Sequence, residues 1–299
     1  MNIIIFGAGA IGSLFGFFLA KNNNVILIGR KEHVKAIKKN GLKITGKTQA
    51  IKKINAETKI ENIHFNPDLL IITVKSYDTE KAIKISRKII KNNTKIITIQ
   101  NGLDNIEKIK NHTNKDKIIA GITTYAALIQ KPGVIKHTGN GETILGLINK
   151  KKTKKIEEIN KIFNQSGIKT KISKNIKKEI WEKAIINSSI NPITTIFNCK
   201  NGYLQKNLIL KKLIKKTCRE STNIANTQNI NLSHEKMYKK TLVVINNTKN
   251  NRSSMLQDFM KNKKTEIDSI NNIIVKIGKM QDKKVFINDS LVKIIKNYT

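Results

Sequence analysis

Asn2-Ile3-Ile4-Ile5-Phe6-Gly7-Ala8-Gly9-Ala10-Ile11-Gly12, continued by Ser13-Leu14-Phe15-Gly16-Phe17-Phe18-Leu19-Ala20-Lys21, decides the fold. Residues 2–6 form a short apolar run that reads as a buried strand. The glycines then fall at G-x-G-x-x-G spacing between that strand and a helix. Gly7 allows the tight turn, Gly9 lets the backbone approach a pyrophosphate, and Gly12 permits close packing of helix on strand, while the helix N-terminus faces the phosphates. Gly7, Ala8, Gly9, Ala10, Ile11 and Gly12 are therefore candidate cofactor contacts. A structural glycine turn that binds nothing has the same spacing. The position at the start of the chain and the second strand that follows, Val25 to Ile28, favour the dinucleotide site. Ile3 to Ala20 also has the length of a signal peptide or a membrane span, but no positive charge precedes it and Gly7, Gly9, Gly12 and Gly16 interrupt it, so a soluble protein is expected.

The second strand ends in Gly29-Arg30-Lys31. An NAD site places Asp or Glu about here for the ribose 2′-hydroxyl, whereas a cation accommodates the 2′-phosphate of NADP. No acid stands at that strand end, which favours NADPH with Arg30 as the phosphate contact and Lys31 as a weaker one; in so lysine-rich a chain such a pair also arises by chance. Further strands, Leu69 to Val74, Lys95 to Ile99 and Lys117 to Ile122, end in Lys75, in Gln100-Asn101-Gly102 and in Thr123-Thr124. Ligands of open α/β sheets bind outside the carboxyl ends of the strands, so Lys75, Asn101 and Thr124 share the rim of the glycine loop. Asn101-Gly102 reads equally well as a plain turn.

Pro132-Gly133 opens a hairpin-like stretch through Gly139-Asn140-Gly141 to Leu147, suited to the edge of the sheet. Lys150 to Phe163 reads as an amphipathic helix and Gly167 to Ser173 as a last strand. Beyond it the period is helical. The expected organisation is an α/β Rossmann domain over residues 1–174 and an all-α domain over residues 175–299.

The helical half opens with Trp181-Glu182-Lys183-Ala184-Ile185-Ile186-Asn187-Ser188-Ser189-Ile190-Asn191-Pro192. Lys183, Asn187 and Asn191 are four apart and share one helix face. An ammonium can protonate or polarise a carbonyl oxygen, and two amides can fix a small polar substrate without adding charge. The plainer reading is a solvated Lys183 paired with Glu179. Asn191-Pro192 marks a kink or the end of this helix. Ser254 followed by Gln257 fits a capping box, whose hydroxyls and backbone N–H groups either bind an anion or only cap. Thr265-Glu266-Ile267-Asp268 leads into a helix through Ile277, stopped by Gly278.

The net charge of +36 comes from 57 Lys+Arg against 21 Asp+Glu. Only four of the basic residues are Arg, aromatics are 5%, and the lysines are spread along the whole chain, so neither phosphate-reading forks nor stacking platforms for nucleic acid are expected. A diffuse positive field still attracts small anions. Cys199 and Cys218 are the only cysteines, without zinc-ligand spacing, so no metal and a reduced cytoplasmic setting are expected.

Taken together, these stretches resemble the ketopantoate reductase (2-dehydropantoate 2-reductase) family over nearly the whole chain. The resemblance is carried by GAGAIG with Arg30, by Lys75, by Gln100-Asn101-Gly102 and by the Trp181-to-Pro192 block. Asn198-Cys199-Lys200-Asn201-Gly202, Ser253-Ser254-Met255-Leu256-Gln257-Asp258 and Thr265-Glu266-Ile267-Asp268 complete it. It implies NADPH-dependent reduction of 2-dehydropantoate to (R)-pantoate, towards pantothenate and coenzyme A. The implied fold is a Rossmann domain joined to an all-helical domain of the 6-phosphogluconate-dehydrogenase type, a domain that often supports homodimers. By the same resemblance Lys183 is the catalytic lysine, and Glu266 the acid that orients substrate and lysine and lies near the cofactor. Asn187 and Asn191 are substrate-binding amides, Asn201 and Asn251 further polar positions around the substrate, and Ser254 the serine for the substrate carboxylate. Asn101 stands near the nicotinamide and the carbonyl, and Arg30 and Lys75 are cofactor contacts. Asp78 departs from the pattern, since some members carry Gln beside the cofactor. A lysine desolvated by its surroundings can approach a neutral pKa, while a nearby Glu266 pushes it back up. A related reductase of another 2-oxo or hydroxy acid, and a non-catalytic NADPH-binding sensor, are the competing readings.

Overall fold

A computed structural model describes residues 1–149 and 153–298. The chain divides into two compact units, Met1–Gln100 with Asn105–Ile176, and Asn101–Asp104 with the chain from Lys177 onward.

The first unit is α/β. In chain order it contains β1 (Asn2–Phe6), α1 (Ala10–Leu19), β2 (Asn24–Ile28), α2 (Lys31–Asn40), β3 (Leu42–Gly46), β4 (Ala50–Lys52), β5 (Asn55–Glu57), β6 (Leu69–Ile72) and α3 (Thr79–Ser86). There follow β7 (Lys95–Thr98), α4 (Asn105–Lys110), β8 (Ile118–Thr123), β9 (Ala126–Lys131), β10 (Val134–Gly139), β11 (Thr143–Leu147), α5 (Lys154–Gln165) and β12 (Thr170–Ile172). The main sheet has the order β12-β11-β8-β7-β6-β1-β2-β5. With the β3-β4 excursion set aside, the six strands from β5 to β8 follow the Rossmann order 3-2-1-4-5-6. All neighbours are parallel except β8 and β11. Helices cover both faces, so the strands are apolar throughout: Ile3 and Ile5 pack with Leu14, Phe15 and Phe163, while Ile4 packs with Ile83 and Ile109.

The Pro132-Gly133 hairpin is not an edge of this sheet. It joins β9 to β10 in a separate four-stranded sheet of order β4-β3-β10-β9, in which β10 runs parallel to β3. Only its continuation, β11, returns to the main sheet. The helix expected from Lys150 begins at Lys154; residues 150–152 lie outside the described residues.

The second unit is helical: α6 (Ile176–Ile196), α7 (Tyr203–Lys206), α8 (Leu208–Thr227), α9 (His234–Asn247), α10 (Ser254–Phe259), a π-helical turn (Asp268–Asn272), α11 (Ile273–Met280) and α12 (Phe286–Asn297). Helix α6 is its axis. Trp181 and Ile185 pack with Ile224, Ile270 and Ile274, and Ile190 and Ile193 pack with Leu210, Ile214 and Ile245. Two sequence expectations are corrected here. Of the kink or end expected at Asn191-Pro192, the end is excluded, since α6 continues to Ile196 with Pro192 inside it. Proline cannot donate to the Ser188 carbonyl four residues back, but Asn271 Nδ2 donates to it at 3.0 Å. Gly278 does not stop its helix either; it lies inside α11, where a side chain would collide with Val285, so glycine serves close packing.

Candidate active site

Gly7 and Ala8 donate their N–H groups to the Ile28 carbonyl at 2.9 and 2.7 Å, which ties the glycine loop to the end of β2. Gly7 has φ +116°, a conformation that disfavours a side chain, and Thr73 Oγ1 donates to its carbonyl at 2.7 Å. A Cβ on Gly12 would collide with that carbonyl and with the Thr73 hydroxyl. At Gly9 the situation is opposite: among the described residues beyond its chain neighbours, the only atom within 4 Å of a Cβ would be the Gly7 oxygen, 3.9 Å away. Open space above Gly9, at the uncapped start of α1 with no acid in its first turn, fits the approach of an anionic pyrophosphate. Ala10 and Ile11 form that first turn.

Arg30 is exposed and N-caps α2 directly beyond β2. One acid stands nearby that the linear sequence does not reveal: Glu57, in register with Ile28 on the adjoining β5. Its carboxylate accepts from Lys38 and from Asn62, and these partners hold it below the usual carboxylate range. Only the parallel pairing of β2 with β5 brings it there. Lys75 begins the loop after β6, which is braced by Gln100 Nε2 donating to the Val74 carbonyl and to Thr79 Oγ1, both at 2.7 Å. Thr124 is engaged in the β8–β11 connection, where its hydroxyl accepts from the Glu142 N–H at 2.9 Å. Asp78 closes a short 3-10 turn after Lys75, its N–H donating to the Lys75 carbonyl at 2.8 Å.

In the helical unit, Lys183 and Asn187 are partly buried and Asn191 is buried. Desolvation lowers the Lys183 pKa from its ordinary 10.5 to about 8, against an opposing pull from Glu266. The acid that opposes this desolvation is Glu266, and the lysine is partly buried instead of fully solvated. Glu266 is buried two residues before the π-turn, whose Ser269 and Ile270 N–H groups donate to its carbonyl, each at 3.1 Å. The loop carrying Asn101 lies on the same turn. Leu103 N–H donates to the Ser269 carbonyl at 3.0 Å and Ser269 Oγ donates to Asp104 at 3.1 Å. Gly102, at φ +101°, lies so close to Ser269 that a Cβ would come within 2.7 Å of it, so the turn and the packing require the same residue.

The cap of α10 is displaced by one residue from its expected place. Ser253 is the N-cap, accepting from the Leu256 N–H at 3.2 Å, and Gln257 reaches the Arg252 carbonyl instead of completing a box. The register follows from Thr194 on α6, whose hydroxyl donates to Ser253 Oγ at 2.7 Å. Ser254 is consequently exposed in the first helical turn. Asn251 is exposed, and its carbonyl accepts from the Asn201 N–H at 2.9 Å. Asn201 is buried and donates its amide to Thr248 Oγ1 at 2.8 Å, which makes it a staple between loop and helix.

A Rossmann-type unit followed by a helical unit in which a partly buried lysine is coupled to a buried glutamate defines a nicotinamide-dependent oxidoreductase fold. Residues 3–150 match the family model described as ketopantoate reductase PanE/ApbA, and residues 175–299 match its C-terminal model. The chain belongs to the ketopantoate reductase family. It is 42% identical to the 2-dehydropantoate 2-reductase of Pyrococcus abyssi (strain GE5 / Orsay), over 99% of this chain and 97% of that one. Identity to the Archaeoglobus fulgidus 2-dehydropantoate 2-reductase is 30%, over 99% and 97%. Among solved structures, the ternary structure of D-mandelate dehydrogenase with NADH and anilino(oxo)acetate is 28% identical with a TM-score of 0.94, covering 100% of this chain and 98% of that one.

Proposed function

We propose that the protein is a cytoplasmic, NADPH-dependent 2-dehydropantoate 2-reductase that forms (R)-pantoate. The observation that carries this reading is the lysine on α6 held near pKa 8 beside buried Glu266, in a chain similar over its full length to reductases of that name. NADPH, when bound, supplies the hydride for the ketone carbon. Lys183 donates a proton to the ketone oxygen, and a pKa near 8 suits a proton donor working near neutrality. Glu266 keeps Lys183 protonated and orients the substrate hydroxyl. Asn187 and Asn191 hold the polar ends of the substrate, Ser254 receives its carboxylate and Asn101 its carbonyl. The hydroxyl of Ser254 suits that role because Ser253 already caps the helix.

On the α/β unit, Gly7 to Gly12 receive the pyrophosphate, Arg30 the 2′-phosphate, and Lys75 lies beside the nucleotide. Exposure of Arg30 directly beyond β2 supports NADPH over NADH; Glu57 beside Ile28 is already engaged with Lys38 and Asn62, and Glu32 follows in the first turn of α2. A second reading has a specific observation behind it: the likeness to D-mandelate dehydrogenase with NADH supports a reductase of another 2-oxo acid. Steady-state turnover of 2-dehydropantoate, benzoylformate and 2-oxoisovalerate with NADPH and with NADH tests both. A kcat/KM that is highest for 2-dehydropantoate with NADPH supports the first reading, and preference for an aromatic 2-oxo acid with NADH supports the second.

A further inference from the structure

Asn271 is the fourth residue of the π-turn, five positions after Glu266, and is fully buried. Its Nδ2 donates to the Ser188 carbonyl at 3.0 Å and to Asn288 Oδ1 at 2.9 Å. The Ser188 carbonyl is the one that loses its helical donor to Pro192. The missing donor in α6 and the amide that replaces it thus lie on different elements, one carrying Lys183, Asn187 and Asn191 and the other following Glu266.

A chain of acceptors fixes the amide's orientation. Glu220 on α8 can only accept, and it takes Asn288 Nδ2 at 2.7 Å with the Ile287 and Asn288 N–H groups at the start of α12. Asn288 must therefore turn its oxygen towards Asn271, and Asn271 must present its NH2 to Asn288 and Ser188. Ser221 Oγ, 3.1 Å from Ser188 Oγ, closes the ring back onto α6. Asn271 Oδ1 is buried with no hydrogen-bond partner among the described residues, so the donor half of this amide makes the contacts.

We propose that Asn271 is a positioning residue of the active site: its amide, by replacing the donor that Pro192 removes, sets the register of the Glu266 segment against the helix that carries Lys183. This rests on the reductase reading for its kinetic consequence but not for its structural one. Glu266 is the charged group that acts on Lys183. Asp268, on the same turn, is paired with Lys296 at 2.6 Å, and Glu220 holds the far end of the network. A shift of the turn therefore reaches Lys183 through Glu266. If Glu266 recedes, the ammonium loses support and the lysine titrates lower.

The test is Asn271→Leu, which keeps the branching and heavy-atom count and removes the donor, alone and combined with Pro192→Ala, which restores a backbone N–H to the Ser188 carbonyl. The folded variant should lose roughly tenfold or more in kcat, as misplaced groups do, with KM for NADPH held. Competitive acetylation with acetic anhydride, read at Lys183 by mass spectrometry, should place its titration below that of the parent protein, and Pro192→Ala should recover part of both losses. Unchanged kcat and titration overturn the proposal, as does lost kcat with neither a titration shift nor recovery, which is the signature of a merely structural residue. Should Asn271→Leu not fold, Asn271→Gln displaces the amide by one methylene and is expected to show the same two changes in smaller measure; parental values for both overturn the proposal. If the parent protein reduces no 2-oxo acid, the reductase reading fails, while the acetylation readout still decides the role of Asn271.

Discussion

Glu266 stabilises the protonated form of Lys183 from the far side of the helical unit's sequence, and burial of the ammonium outweighs it, leaving the lysine near pKa 8. Each residue needs the other. Without Glu266, burial would carry the lysine lower and leave less of it protonated near neutrality; without burial, an ordinary lysine at 10.5 would hold its proton too tightly to give it up readily.

Lys183→Ala should lower kcat about 10²–10⁴-fold, the usual share of a general acid, while NADPH binding followed by fluorescence stays close to the parent value. Unchanged turnover would remove the lysine from the chemistry.

Stability should carry the same signature. The folded-state pKa of Lys183 lies below its ordinary value, so the unfolded chain binds more protons between about 8 and 10.5. The cost of burying the charge is fully present below pH 8 and is relieved as pH rises through that window. Thermal unfolding of Lys183→Met should therefore exceed that of the parent most at pH 7, with the gap narrowing by pH 10; a gap constant with pH would contradict the depressed pKa.

Gly12→Ala places a methyl group against the Gly7 carbonyl and Thr73 hydroxyl. Overpacking of this kind costs about 1–3 kcal/mol, and the displaced loop should weaken NADPH binding by isothermal titration. By contrast, the methyl of Gly9→Ala comes no closer than 3.9 Å to any described residue beyond its chain neighbours, so it should leave the melting temperature nearly unchanged and still weaken cofactor binding. Undiminished affinity in Gly9→Ala would mean that the open space is not where the pyrophosphate lies.

Arg30→Asp should reduce the NADPH-to-NADH ratio of kcat/KM by about tenfold or more, the scale of a charge-assisted hydrogen bond. A ratio that does not move would assign the 2′-phosphate to other residues.

Strand order is set by tertiary pairing, but most strands and helices of the main sheet were legible because apolar runs, glycine spacing and helical period fall within short windows. The second sheet was not. β3 and β4 are short and half polar, and the parallel pairing of β3 with β10 joins segments some ninety residues apart, which no local pattern announces. The rule for proline is local and points to a kink or an end at Asn191-Pro192, whereas the Asn271 amide that satisfies the freed Ser188 carbonyl is tertiary. The cap at Ser253 and not Ser254 follows from the same cause, since two adjacent serines present one local pattern and a threonine on α6 chooses between them. The Lys183 face was legible from four-residue spacing, and Glu266 from resemblance to known reductases. The depth of burial that depresses the lysine was visible in neither.

The most direct measurement is the pH dependence of kcat/KM for 2-dehydropantoate with saturating NADPH, for the parent protein and for Glu266→Gln. A proton donor held at about 8 gives activity that is level at neutral pH and falls above that value, with the fall moved to lower pH in Glu266→Gln. Activity that stays level to pH 10, or a fall that Glu266→Gln leaves in place, would contradict a general-acid Lys183 governed by Glu266.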